Sequence, residues 1–469
     1  MQNKTKIVAT LGPASAKRGE LRLMMQAGAS VFRINGAHGS PEEHKKTISL
    51  VREVSRNLGA PAAVLMDLPG PKYRIGRLAK EPVNLKAGDV VTLSCGQRVQ
   101  RNDSIPVPHN IAGNLRPGSK IFINDGIVSL SVSRVEGRRV HARVKTGGEI
   151  RSFKGLNLPG TKLTSAALTA EDKRILESAI RNGVDFVGLS FVRTRSNILA
   201  LRRLLAKRAP HIGIVAKIEK PEALEDLDGI VDAADAVMVA RGDLGIEMPF
   251  DQVPLLQRRI LRACINAGKP AITATQMMES MVIASRPTRA EATDVAGAVW
   301  EGTDAVMLSE ETSIGKNPAT AVLAMARIAL QAERAMLPLP GPACPADPAS
   351  FQAHVLSEAA AFVAENMEAS AIVAPTRSGR TPLSISRGRP SVPVLAPTED
   401  ERTARRMCLY WGVRPMAMKA ASTVDETLRQ AERAALKSRL IKKGDTIVIA
   451  SGAHGRKGGI TRLVEVRKI

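Results

Sequence analysis

Eight short runs rich in Val, Ile, Leu and Ala recur through residues 1–69 and 156–339, each parted from the next by a stretch with helical spacing. They begin at Lys6, Ser30, Ala62, Asp185, Ile212, Asp235, Pro270 and Asp304. Strands that alternate with amphipathic helices read as βαβ units on a parallel sheet. Eight such units in about 250 residues match a closed (β/α)8 barrel. The stretch Leu168–Gly183 illustrates the helical half. Thr169 stands at an N-cap, Asp172 follows three residues on, and Gly183 ends the run.

The alternation breaks after the third run. Residues 70–155 alternate apolar and polar side chains between Gly, Pro and Asn turns, which predicts a small inserted β-barrel domain hinged near Gly70 and Gly155. The Pro-rich stretch Leu337–Pro348 marks a second boundary. Residues 340–469 then read as a separate α/β domain. The expected class is α/β: a catalytic barrel of 1–69 and 156–339, an insert of 70–155, and a C-terminal domain of 340–469.

A barrel carries its chemistry at the C-terminal ends of its strands. Those ends hold Arg33 and Asn35; Asp67, then Gly70, Lys72 and Arg74; Lys217 and Glu219; Arg241, Gly242 and Asp243; Thr275 and Gln276; and Ser309, Glu310 and Glu311. Glu219 and Asp243 are paired carboxylates on neighbouring strands, hard oxygen donors suited to Mg2+ or Mn2+. Lys217, Arg33 and Arg74 are cations able to grip phosphate. A metal clamp ringed by cations is what phosphoryl transfer asks of a protein. Backbone N–H groups of the Arg241–Gly245 turn can receive a carboxylate if a helix begins there.

The 68 Lys and Arg against 45 Asp and Glu give a net charge of +23. That excess raises nucleic acid as a partner. Stacking platforms are scarce, however, because aromatic residues make up only 3% of the chain. The charge is also uneven. Residues 70–155 hold 16 basic against six acidic side chains, and residues 340–469 hold 20 against 12. Both segments suit small phosphorylated ligands, so neither nucleic acid nor membrane is expected as a partner. Four scattered cysteines and no run of about 18 apolar residues point to a reducing, cytoplasmic setting. Two rival readings stand against the expectation of phosphoryl transfer: a metal-dependent lyase or aldolase that handles an enolate, and a nucleic-acid binder.

The motifs are specific enough to name a family. Thr5–Ser15, Phe32–Gly39, Met66–Gly76, Phe153–Gly160, Ala216–Leu224, Val237–Glu247, Ile272–Met281 and Arg286–Val299 resemble, in order, the diagnostic stretches of pyruvate kinases. The resemblance implies transfer of the phosphoryl group of phosphoenolpyruvate to ADP, with Mg2+ or Mn2+, giving pyruvate and ATP. It implies catalytic roles for Lys217, Thr275, Arg33 and Arg74, and metal ligation by Glu219 and Asp243. Substrate would be held by Arg33, Lys217, Gly242, Asp243 and Thr275. The nucleotide would be held by Asn35, His38, Arg74, Asp125 and Lys154, the insert closing as a lid. Protonation of the enolate would run through a Thr275–water relay. A homotetramer is expected on the same ground.

Four positions depart from the family pattern. Gly36 and Ala37 replace the family's Phe and Ser, and Glu310 stands where Gly is usual. Potassium-dependent members carry Glu where this chain has Lys72. With Asn35 and Asp67, Lys72 would form a monovalent-cation site or its substitute. Two like charges about 4 Å apart repel by roughly 4 kcal/mol at an effective dielectric near 20. The expectation is therefore an enzyme that does not need potassium. In the C-terminal domain, Thr376, Arg377, Ser378, Gly379, Arg380 and Thr381 precede a helix-like stretch, where a phosphate can bind. They resemble the family's sugar-phosphate effector loop. Arg456 and Lys457 match a second such loop.

Overall fold

The computed structural model describes residues 3–96, 104–161, 168–336, 339, 343–344, 348–452 and 461–469, with only the backbone of 348–350. All eight expected runs form strands: Lys6–Leu11, Ala29–Asn35, Ala63–Leu68, Phe186–Leu189, Gly213–Ile218, Ala236–Ala240, Ala271–Ala274 and Ala305–Leu308. They close into one parallel barrel, with the first strand pairing with both the second and the eighth. Most of their residues are buried, which is why they read as near-continuous apolar runs. Alternate residues serve different cores. Ile7 and Ala9 pack outward against the helices, while Val8 points into the barrel with Val31, Leu65, Val215 and Met238. The helix Ala170–Arg181 starts as expected, with the Thr169–Asp172 capping box formed.

Between the third and fourth strands, residues Val90–Cys95, Ile105–Val107, Lys120–Ile123, Val128–Glu136, Arg139–Thr146 and Leu156–Asn157 form a six-stranded sheet. Its pairing is antiparallel except between Val90–Cys95 and Ile105–Val107. It has its own core around Leu93, Ile121, Val128 and Val140. The pairing runs on to Asn157, two residues past the expected hinge, because Leu156 and Leu158 are buried in that core.

The C-terminal sheet runs in the order Val413–Ala417, Val394–Thr398, Ala371–Val373, Thr446–Gly452, Thr461–Lys468. The first four strands are parallel and the last is antiparallel. The short turn Met407–Leu409 and Tyr410 join the cluster that fills the barrel interior. Around that contact, Arg405 pairs with Asp185 at 2.7 Å and Arg389 with Asp304 at 3.0 Å. Lys6 Nζ donates to the Val413 carbonyl at 2.5 Å. No helix among the described residues is long and apolar enough to cross a membrane.

Candidate active site

Parallel register brings the strand ends to one rim. Asn35 lies opposite Asp67, and Asp67 opposite Gly188. A cavity of about 310 Å³ opens there. Its lining includes Arg33, Asn35, His38, Asp67, Lys72, Arg74, Lys217, Glu219 and Asp243, so nine of the expected residues share one space.

Lys217 is its centre. Its ammonium lies 2.8 Å from Glu219, 3.3 Å from Asp67 and 2.7 Å from the Ser190 hydroxyl, to which it donates. Burial alone would lower its pKa, but Asp67 and Glu219 outweigh burial and raise it, so the amine stays charged. Burial would likewise raise Asp67; Lys217 and Arg33 overcome it and hold that carboxyl low. Glu219 is pushed up, first by burial and then by repulsion from Asp243. Arg33 places Nε and Nη2 on Asp67 Oδ2 at 2.8 and 2.7 Å, and Nη1 on the Thr10 hydroxyl.

The donor set at Glu219 and Asp243 fits a divalent cation. Two carboxylates of like charge line one space, and the charge of Asp243 adds to the burial that raises Glu219 against the opposing pull of Lys217. Hard oxygens that take their remaining ligands from substrate and water are the usual Mg2+ arrangement. The Lys72 ammonium lies 3.5 Å from Asp243 and 3.8 Å from Asp125, so it reaches over the cavity while its side chain stays partly exposed. Arg74 donates to the Phe153 carbonyl and bridges to Gly155, tying the two hinge strands together. Lys154 is exposed and does not line the cavity.

A helix, Arg241–Glu247, does begin at the sixth strand's end. In this state the Gly242 N–H donates to Thr275 Oγ1 at 2.7 Å, and that hydroxyl donates to the Ala274 carbonyl. Thr275 thus meets the site through Gly242 without lining the cavity. Glu310 is exposed, so its bulk in place of a glycine meets no obstacle, whereas Glu311 is buried and accepts from the Ser309 and Met278 amides. Gly36 is confined: a Cβ there would lie 2.7 Å from the Asp67 carbonyl.

The strand-end reading missed Ser190, Thr10 and the Phe191 amide, which donates to Glu219. Thr10 and Ser190 close the first and fourth strands, the two whose ends that reading left out. The signal was there in a polar residue at each strand terminus.

In the C-terminal domain, Gly379 takes a left-handed φ of 81° and begins the helix Arg380–Arg387. Its amide donates to the Thr376 hydroxyl. Arg377 pairs with Glu399 at 3.1 Å, and Ser378 is exposed. Thr381 turns inward, its buried hydroxyl accepting from Thr461. Arg456 and Lys457 lie outside the described residues.

Comparison with known proteins shows the family. Residues 2–322 match the family described as pyruvate kinase, barrel domain, and residues 354–466 match pyruvate kinase, alpha/beta domain. The pyruvate kinase of Geobacillus stearothermophilus is 40% identical, over 100% of this chain and 81% of its own length. A pyruvate kinase of Agrobacterium vitis is 41% identical over 99% and 98%, and that of Clostridium acetobutylicum 36% identical over 99% of both.

Proposed function

The chain belongs to the pyruvate kinase family and is a phosphotransferase, and from that premise we propose how its residues divide the work. The carrying observation is Lys217, a buried ammonium kept charged by Asp67 and Glu219 at the floor of a cavity ringed by Arg33, Lys72 and Arg74. Glu219 and Asp243 would hold Mg2+ or Mn2+. When bound, the cation offsets charge on the phosphoryl oxygens. Lys217 stabilises the transferring phosphoryl group and the enolate left behind. Arg33, pinned by Asp67 and Thr10, presents its remaining donors to phosphate. Asn35, His38, Arg74, Asp125 and Lys154 would meet the nucleotide. The insert 70–155 acts as a lid that keeps water from the phosphoryl group. Thr275 passes a proton to the enolate through water, and the turn at Gly242 receives the substrate carboxylate.

Lys72 supports potassium independence, since its ammonium, paired with Asp243 and Asp125, lines the same cavity as Asn35 and Asp67, the other two residues expected at the monovalent-cation site. Thr376–Thr381 supports activation by a sugar phosphate, with the helix Arg380–Arg387 beginning beneath it. Displacing Glu399 from Arg377 would accompany binding. A homotetramer and a cytoplasmic setting complete the reading.

A coupled assay for ATP and pyruvate tests the whole. ATP formation separates this reading from a lyase and from a nucleic-acid binder. Lys217→Met is expected to lower kcat by at least about 10²-fold, the scale of removing one preorganised charge donor. Full activity in that variant would refute the role. Omitting potassium at matched ionic strength should leave the rate within about twofold, against a repulsion worth several kcal/mol if the ion bound.

A further inference from the structure

The seventh strand ends at Ala274, and the next two residues both adopt left-handed backbone, Thr275 with φ 69° and Gln276 with φ 55°. Left-handed backbone costs an L-residue roughly 1–2 kcal/mol, and a β-branched residue such as Thr is a true outlier there. Strain of this kind persists only where surrounding groups over-determine it. Here the over-determining group is Arg241. Its Nε and Nη2 both donate to the Thr275 carbonyl, at 3.1 and 2.7 Å, and Nη2 also donates to the Gln276 carbonyl at 3.1 Å.

The guanidinium is itself held from outside the barrel. Nη1 donates to Asp294 at 2.7 Å, on the helix Arg289–Trp300, and lies 3.4 Å from Gln257, on the helix Val253–Ala267. The side chain is 10% exposed and does not line the cavity. Two outer helices therefore fix the fork, the fork fixes two carbonyls, and the turn aims the Thr275 hydroxyl at Gly242.

We propose that Arg241 is a positioning residue for the protonation half of the reaction, holding the Thr275–Gln276 turn so that the Thr275 relay faces the enolate carbon. The inference rests on the pyruvate kinase reading above and deepens it. In the first half, the bond from phosphorus to the substrate's bridging oxygen breaks and a bond to the terminal ADP oxygen forms. In the second, the enolate methylene takes one proton to form the methyl C–H bond, and the relay regains that proton from solvent. Thr275 also helps to hold the substrate, but only the second half uses its proton relay. Arg241 carries its charge against Asp294, away from the phosphoryl group, so losing it affects the halves unequally.

The test uses the full chain with Mg2+ and three readouts: ATP formation from phosphoenolpyruvate and ADP, exchange of pyruvate methyl protons with D2O in the presence of ATP, and the solvent isotope effect on kcat. Arg241→Lys keeps the charge but loses the planar fork. It is expected to slow methyl exchange about 10- to 100-fold, the scale of a ~1 Å misplacement. The isotope effect should rise as proton transfer becomes limiting, with KM for phosphoenolpyruvate little changed. Asp294→Asn, which leaves Arg241 in place but less firmly held, should shift the same readouts less. If both variants lose exchange and ATP formation in parallel with an unchanged isotope effect, the proposal is overturned. A wild-type chain that made no ATP would instead overturn the premise.

Discussion

Two buried lysines in this chain meet opposite fates. Lys217 finds carboxylates and stays charged. Lys6, at the other end of the barrel, finds a backbone carbonyl; burial, then the Arg414 guanidinium, lowers its pKa from 10.5 to about 7, with Cys408 and Glu333 opposing. Between pH 7 and 10.5 the unfolded chain binds a proton there that the folded chain does not. Stability therefore rises with pH across that window, and the penalty, on the order of 5 kcal/mol at most, is full below pH 7. Melting temperature followed from pH 6 to 10 should climb less in Lys6→Met than in the parent. Lys217, to which we assign the catalytic role, was legible because it ends a strand. Lys6 was not, because a lysine opening an apolar strand gives no sign that another domain will cover it.

At the scale of elements, the eight strands were readable since each is buried on both faces and bounded by turn residues. What the pattern left out was contact between elements. Gly36 shows this: its lost side chain lets the end of the second strand close onto the third, its amide donating to the Asp67 carbonyl at 2.8 Å. With Ala37 offering no hydroxyl and Lys72 reaching in from the start of the insert, three departures from the family pattern meet at one corner. Reversing two of them tests the convergence. The double variant Lys72→Glu with Ala37→Ser is expected to gain activation by potassium. Activity titrated with potassium at constant ionic strength reads it, and a flat response would show that the corner cannot be rebuilt from those two positions.

At the scale of the molecule, ion pairs and an apolar plug bind the C-terminal domain to the barrel floor. Arg389 joins Asp304 and lies over the Trp411 ring, its centre 4.8 Å from the ring's. Arg389→Ala leaves a buried carboxylate without its cation and should cost roughly 3–5 kcal/mol, measured by denaturant or thermal unfolding. The domain order was visible in the sequence; this seam was not, since its residues lie far apart in the chain. The Thr376–Thr381 loop, proposed above as the effector site, stands close to the seam: Gly379 faces Met407 and Tyr410, which sit in the same cluster as the barrel's inward side chains. That shared cluster sets how the molecule comes apart. The barrel interior and one face of the C-terminal sheet share a single apolar cluster, which couples those two domains although each has a further cluster of its own, whereas the insert's cluster is shared with neither. Calorimetry should show two heat-absorbing events for three domains, and a protease added between them should find the insert already open and everything else still closed.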